Sequence, residues 1–117
     1  MSEKKSMRFD ALQELAFEGY VEKGYKAAWE KACAILKPHG LDRLIDLAEV
    51  GLFTTEVTEA QEEIRDDDPE KEVKELAGLF IRMSNYAMRH GYDLEAAIIA
   101  EALRNLTREH LHKRKIL

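Results

Sequence analysis

The chain is poor in residues that stabilise extracellular folds or cross membranes. It has one cysteine, Cys33, among 117 residues, so an internal disulfide is excluded and we expect a small buried thiol. No apolar run approaches the roughly 20 residues of a membrane-spanning helix. The polar start, Met-Ser-Glu-Lys-Lys, leads into an amphipathic pattern rather than the apolar core of a signal peptide. We therefore expect a cytoplasmic protein that does not bind membranes.

Positive charge and the common catalytic motifs are also scarce. Lysine and arginine total 18 against 23 acidic residues, for a net charge of −5. With no dominant basic stripe, binding of duplex nucleic acid is not expected. The sequence has no phosphate-binding glycine loop and no Ser-His-Asp order, and Cys33 lacks a recognisable nucleophile setting. His110 and His112 are two residues apart and point to different faces of a helix, so they are a poor zinc chelate.

Helix signals fill the rest of the chain. Hydrophobic residues make up 45% and charged residues 35%, the balance of one folded domain, which we place at residues 7–117 after a frayed segment at 1–6. Apolar residues at helical spacing, with glycine and proline at the ends, predict helices over residues 7–23, 25–36, 41–65, 69–90 and 94 to about 113. No strand is predicted. Short connections favour antiparallel neighbours, so the expected fold is an all-α antiparallel bundle of four to five helices.

An acidic stripe stands out in the third predicted helix. Glu56, Glu59 and Glu63 are spaced i, i+3 and i+7, which places their carboxylates on one helix face. Like charges so close repel one another, and a cation relieves the repulsion. Oxygen ligands of this kind suit Mg²⁺ or Mn²⁺. The alternative interpretation is an acidic helix face in solvent.

Aromatic residues in the first half of the chain also allow two interpretations. Tyr20, Tyr25, Trp29 and Phe53 occur at helical spacing among alanine and leucine. Such residues can stack on a nucleobase, but in that context they more often belong to the core.

Several short motifs occur in a recognisable order. They are Glu56-x-x-Glu59, an acidic turn with proline at Asp66-Asp67-Asp68-Pro69, Glu75-Leu-Ala-Gly78-Leu-Phe-Ile-Arg82, Gly91-Tyr-Asp93-Leu, and Asn105-Leu-Thr-Arg108. This order, over roughly Leu44 to His112, resembles the MazG-like nucleoside triphosphate pyrophosphatases. The resemblance implies an all-α bundle that forms a homodimer or homotetramer. It also implies Mg²⁺ held by paired acidic motifs, and cleavage of a nucleoside triphosphate to a monophosphate and pyrophosphate.

The resemblance assigns roles to individual residues. Glu56, Glu59 and Glu75 match metal ligands. Glu63 lies on the same helical stripe as Glu59, and its expected role is either to support a ligand by hydrogen bonding or to act as the general base. Two residues of the last predicted helix match nucleotide-binding positions: Asn105 and Arg108. Each has a simpler alternative, because Asn105 fits an ordinary surface amide and Arg108 fits compensation of the helix dipole.

The second acidic motif departs from the family pattern. The family has aspartate three residues after the glutamate, where this chain has Gly78, so one metal ligand is missing. Glu72, one turn before Glu75, could replace it, although a dipole role at the helix start explains Glu72 equally well. Two hypotheses follow: a metal-dependent pyrophosphohydrolase with a weakened site, or a non-catalytic relative that senses nucleotides or binds proteins as an oligomer.

Three more positions differ from the family pattern. Asn85 stands where members often have an acid, Glu101 where they often have lysine, and Thr55 at the first of two paired glutamates in many members.

Overall fold

A computed structural model describes residues 8–108, and all the regular structure in that range is helical. The elements are α1 (Phe9–Glu22), α2 (Tyr25–Leu36), a 3-10 turn (Lys37–His39), α3 (Arg43–Arg65), α4 (Pro69–His90) and α5 (Leu94–Thr107). The prediction of an all-α chain with five helices and no strand is confirmed over these residues. The predicted frayed segment at 1–6 and the predicted continuation of the last helix to about residue 113 lie outside the described range.

The turns follow the local chemistry of the sequence. Gly91 ends α4 with φ +70°, and the Tyr92 N–H donates to the Ala87 carbonyl at 2.9 Å. Asp68 and Asp93 cap α4 and α5, each accepting a backbone N–H three residues on through its side chain, at 3.2 and 3.0 Å. α3 starts two residues later than predicted, because the Leu41 N–H still bonds back to the Leu36 carbonyl at 3.1 Å.

Helices α3 and α4 make the most extensive helix pair of the described chain. Asp46, near the start of α3, lies 2.9 Å from His90 at the end of α4, and Glu56 further along α3 bonds to Arg82. Residues later in α3 therefore contact residues earlier in α4, so the two helices run antiparallel.

Helix α1 also packs against α4, but these two helices run parallel. The Phe9 ring packs edge-on against Phe80 at 5.7 Å, and Gln13 Nε2 donates to Ser84 Oγ at 3.2 Å, so α1 and α4 run parallel. If each helix ran opposite to the helix before it in the sequence, α1 and α4 would be antiparallel. The difference arises because the short α2 lies at the end of the α3–α4 pair, where the Trp29 ring packs at 5.8 Å from His90.

Three of the five buried residues in the described chain are polar: Gln13, Asp46 and Ser84. Arg89 has no exposed side-chain surface, donates to Glu49 at 2.5 and 2.6 Å and to the Tyr20 hydroxyl at 2.9 Å, and lies 4.4 Å above the Trp29 ring. The ion pair and the aromatic contact compensate for removing the guanidinium from water. This network ties α1, α2 and α3 to the last turn of α4.

Apolar burial within the described chain is limited. Only Ala60 and Ala87 are buried apolar residues, and Cys33 is half-buried rather than buried as expected. Twenty-one large apolar side chains are 37% or more exposed, including four on α5 and several on α3. Monomeric proteins rarely leave so many large apolar side chains in water.

Candidate functional site

Three carboxylates from two helices converge beside the α3–α4 contact. Each of Glu56 and Glu59 on α3 and Glu75 on α4 offers one oxygen within 4.8 Å of the others, and all three residues are half-buried. They meet because the i, i+3 stripe of α3 faces the antiparallel α4. Three oxygen ligands from two rigid helices are the donor set that Mg²⁺ and Mn²⁺ prefer.

Repulsion among these groups changes the protonation of one of them. The pKa of Glu75 is raised to about 7, chiefly by its hydrogen bond to Glu59, then by desolvation and by a hydrogen bond to Glu56. A carboxyl that keeps its proton can donate to a neighbouring carboxylate, whereas two carboxylates can only repel. The cluster therefore binds a proton near neutral pH, and a metal ion would compete with that proton.

An ion pair adjoins the carboxylates on one side. Arg82 Nε donates to Glu56 Oε1 at 2.9 Å; the Glu56 side chain is 13% exposed and that of Arg82 is 43% exposed. Gly78, one turn before Arg82, leaves the space that the Glu56 carboxylate fills. A Cβ at this position would lie 2.8 Å from Glu56 Oε2. The absence of a side chain at Gly78 thus lets the Glu56 carboxylate reach the surface of α4.

An open cleft of about 1120 Å³ adjoins this cluster. Its walls come from α1, α2, α3 and α4. Polar or site-related lining residues include Glu49, Glu56, Gly78, Arg82 and Asn85, and the aromatic ones are Tyr20, Tyr25, Trp29, Phe53 and Phe80. Two buried polar atoms of lining residues, Trp29 Nε1 and Asn85 Oδ1, have no hydrogen-bond partner within the described chain. The cleft therefore combines a charged wall, aromatic rings, an unused donor and an unused acceptor.

The other predicted site residues are not brought to the cluster. Glu63 and Glu72 are half-buried on α3 and α4 but fall outside the group of three carboxylates. Asn105 and Arg108 are exposed, and α5 contributes no residue to the cleft lining. In a single described chain they therefore do not meet the carboxylates.

Cys33 has a weakly acidic thiol. Burial, followed by the nearby charge of Asp46, raises the pKa of the Cys33 thiol. A raised pKa disfavours the thiolate, which is the reactive form. No nucleophilic role is assigned to Cys33.

Two features of the site were not predicted from the sequence. Arg82 stands four residues after Gly78, on the same face of α4 as Glu75, and this i, i+4 spacing could have identified it. Glu49 and Asn85 carry no comparable signal, because their place in the cleft depends on how α1 and α2 pack.

Within residues 8–108, no helix combines the length and the apolar character that crossing a bilayer requires. Comparisons of the chain with protein-family models, with curated proteins and with solved structures found no match.

Proposed function

We propose that this protein is a divalent-metal-dependent nucleoside triphosphate pyrophosphohydrolase, with a helical bundle of the MazG type. It would cleave a triphosphate to a nucleoside monophosphate and pyrophosphate. The observation that carries the proposal is the convergence of the Glu56, Glu59 and Glu75 oxygens within 4.8 Å. The order of motifs in the sequence points to the same three residues.

The donor set fits Mg²⁺, with Mn²⁺ as the alternative ion. Glu56, Glu59 and Glu75 would hold the ion, and their mutual repulsion, expressed in the raised pKa of Glu75, favours a cation among them. Such an ion, when bound, offsets phosphate charge and lowers the pKa of a coordinated water. Glu63, one helical turn beyond Glu59, is our candidate for accepting the proton of the attacking water. Glu72, one turn before Glu75, remains a candidate for supplementing the ligand set.

The cleft supports a nucleotide as the substrate. Its volume of about 1120 Å³ is of the size that ligand sites usually have. Tyr20, Tyr25, Trp29 and Phe53 offer aromatic surfaces on which a base can stack.

A second candidate function is favoured by the ion pair at Glu56. One ligand carboxylate already has a cationic partner in Arg82, and Gly78 supplies no ligand. Both features suit a non-catalytic relative that binds nucleotide and signals its presence through an oligomer or a protein partner.

Self-association is part of both functions. The apolar side chains of α3 and α5 are exposed in a single chain. Packing against the same apolar surface of a second copy would bury them. We propose a homodimer or homotetramer. Asn105 and Arg108 would then contact a nucleotide only in the cleft of a neighbouring copy.

Pyrophosphate release from a panel of nucleoside triphosphates, with Mg²⁺ or Mn²⁺, separates the two functions. The enzyme proposal expects metal-dependent release that Glu59→Gln and Glu75→Gln reduce at least about a hundredfold. Glu62→Gln, an exposed neighbour on α3, should leave the rate unchanged. Nucleotide binding without release would support the non-catalytic candidate, and neither binding nor release would overturn both.

A further inference from the structure

The guanidinium group of Arg82 has hydrogen-bonding capacity left over. Only its Nε–H is used, by Glu56 Oε1 at 2.9 Å, and its terminal NH₂ groups have no hydrogen bond to any described residue. Arg82 is 43% exposed and lines the cleft. A fixed guanidinium with free N–H groups at the wall of a cleft matches the geometry of phosphate oxygens.

The Glu56–Arg82 pair holds this guanidinium in place. Glu56 fills the space above Gly78, and this position lets its carboxylate accept the Arg82 Nε–H. A side chain at residue 78 would displace the Glu56 carboxylate and leave Arg82 without its partner. The absence of a side chain at Gly78 therefore lets Glu56 pair with Arg82 and places a cationic group beside the carboxylates.

This arrangement changes the charge of the site. Three carboxylates remain, and one of them is paired with Arg82. When the ion displaces the proton of Glu75, two negative charges are left to be balanced, which is the charge of one divalent ion. With an additional aspartate and no arginine, the same cluster would attract more than one divalent ion.

We infer that Arg82 is a phosphate-binding residue that acts beside a single divalent ion. The inference rests on the proposed function, because it assigns the contacts of the phosphate chain in the same cleft. The ion held by the carboxylates would bind one part of the chain and the Arg82 N–H groups another. Recognition of phosphate would then be divided between a metal ion and a residue of α4.

Two titrations of the full-length protein test the inference. In the first, Mn²⁺ binding is followed by electron paramagnetic resonance, and the wild type should bind one ion per chain. Arg82→Gln should bind Mn²⁺ as tightly or more tightly, because Glu56 is released. In the second, inorganic pyrophosphate binding is measured by calorimetry in excess Mg²⁺. Arg82→Gln should weaken this binding about ten- to a hundredfold, the range for losing charge-assisted hydrogen bonds.

Two further variants provide controls. Arg82→Lys keeps the charge without the guanidinium geometry and should show intermediate affinity for pyrophosphate. Arg104→Gln removes an arginine that pairs with Glu101 on α5, outside the cleft, and should match the wild type.

The outcomes separate this inference from the proposed function. Tight Mn²⁺ binding with unchanged pyrophosphate affinity in Arg82→Gln would overturn the role of Arg82 and leave the metal site standing. Weaker Mn²⁺ binding in Arg82→Gln would also overturn it, by showing that Arg82 only positions Glu56. A wild type that binds no Mn²⁺ would refute the proposed metal site. Arg82 would then keep its role only if metal-free pyrophosphate binding were lost in Arg82→Gln.

Discussion

At the scale of single residues, the protonation of Glu75 links the acidic cluster to solution conditions. Its pKa of about 7 in the folded chain lies above the ordinary value of 4.5, because Glu59 and Glu56 accept its hydrogen bonds and repel its charged form. Between these two values the folded chain binds more protons than the unfolded chain. The contribution of Glu75 to stability is therefore greatest at low pH and is lost as the pH rises through about 7.

The first prediction concerns the melting temperature without divalent ions. From pH 5 to pH 8 the wild type should lose stability relative to Glu75→Gln, which cannot ionise at this position. Mg²⁺ should reduce that relative loss, because a cation replaces the proton. Thermal unfolding across the pH range, with and without Mg²⁺, measures both effects. Parallel curves for the wild type and Glu75→Gln would contradict the prediction.

The second prediction concerns Gly78. Gly78→Asp should bind Mn²⁺ more tightly than the wild type, because it adds a carboxylate beside Glu56. Without metal it should be less stable, since its Cβ crowds Glu56 Oε2 and disrupts the pair with Arg82.

Gly51→Asp is the matched control for this substitution. It makes the same exchange inside a helix, but a Cβ at Gly51 has nothing within 4 Å. Its Mn²⁺ affinity should equal that of the wild type. Equal Mn²⁺ affinities for both variants would show that residue 78 does not face the ion.

At the scale of the helices, the buried Arg89 network connects α4 to its three neighbours. Arg89→Met should destabilise the chain by about 3–5 kcal/mol, because Glu49 and the largely buried Asp46 lose a cationic partner. Arg43→Met removes another arginine bonded to Asp46, but this side chain is 69% exposed, so its cost should stay within about 1 kcal/mol.

Urea unfolding of the two variants beside the wild type gives the comparison. Similar small losses for both would show that Arg89 contributes no more than a surface ion pair does.

The helices could be predicted from the sequence because their signals are local. Apolar spacing and turn residues such as Gly91 and Pro69 act over one or two turns. For the first four helices and the start of α5, the observed ends lie within about two residues of the predicted ones. The direction of α1 on α4 could not be predicted, because it depends on where the short α2 packs.

Only part of the candidate site could be predicted from the sequence. The stripe of Glu56 and Glu59 follows from helical spacing, and the resemblance to a family added Glu75. Helical spacing places Arg82 on the face of α4 that carries Gly78, but its pairing with Glu56 and the place of Asn85 in the cleft depend on how the helices face one another. Likewise, nothing local to Gly78 indicated that the Glu56 carboxylate occupies the space beside it.

At the scale of the whole molecule, the dominant feature is uncovered apolar surface. Within residues 8–108, twenty-one large apolar side chains are at least 37% exposed, more than monomeric proteins usually leave in water. On α5, Ile98, Ile99, Leu103 and Leu106 are 46% to 71% exposed. A second copy would cover them.

The resulting prediction is that α5 takes part in self-association. Leu103→Glu should shift the protein toward monomer in sedimentation velocity, because it places a charge in the apolar stripe. Ala97→Glu adds the same charge on the side of α5 that carries Arg104, and it should sediment as the wild type does. A monomeric wild type, or an unchanged Leu103→Glu assembly, would rule out this interface.

We propose that carboxylates of α3 and α4 together hold one catalytic metal ion, and anomalous X-ray diffraction from crystals grown with Mn²⁺ tests this proposal. We expect a single anomalous peak in each chain, coordinated by oxygens of Glu56, Glu59 and Glu75. Ordered carboxylates with no peak between them, or a Mn²⁺ ion bound only elsewhere, would contradict it.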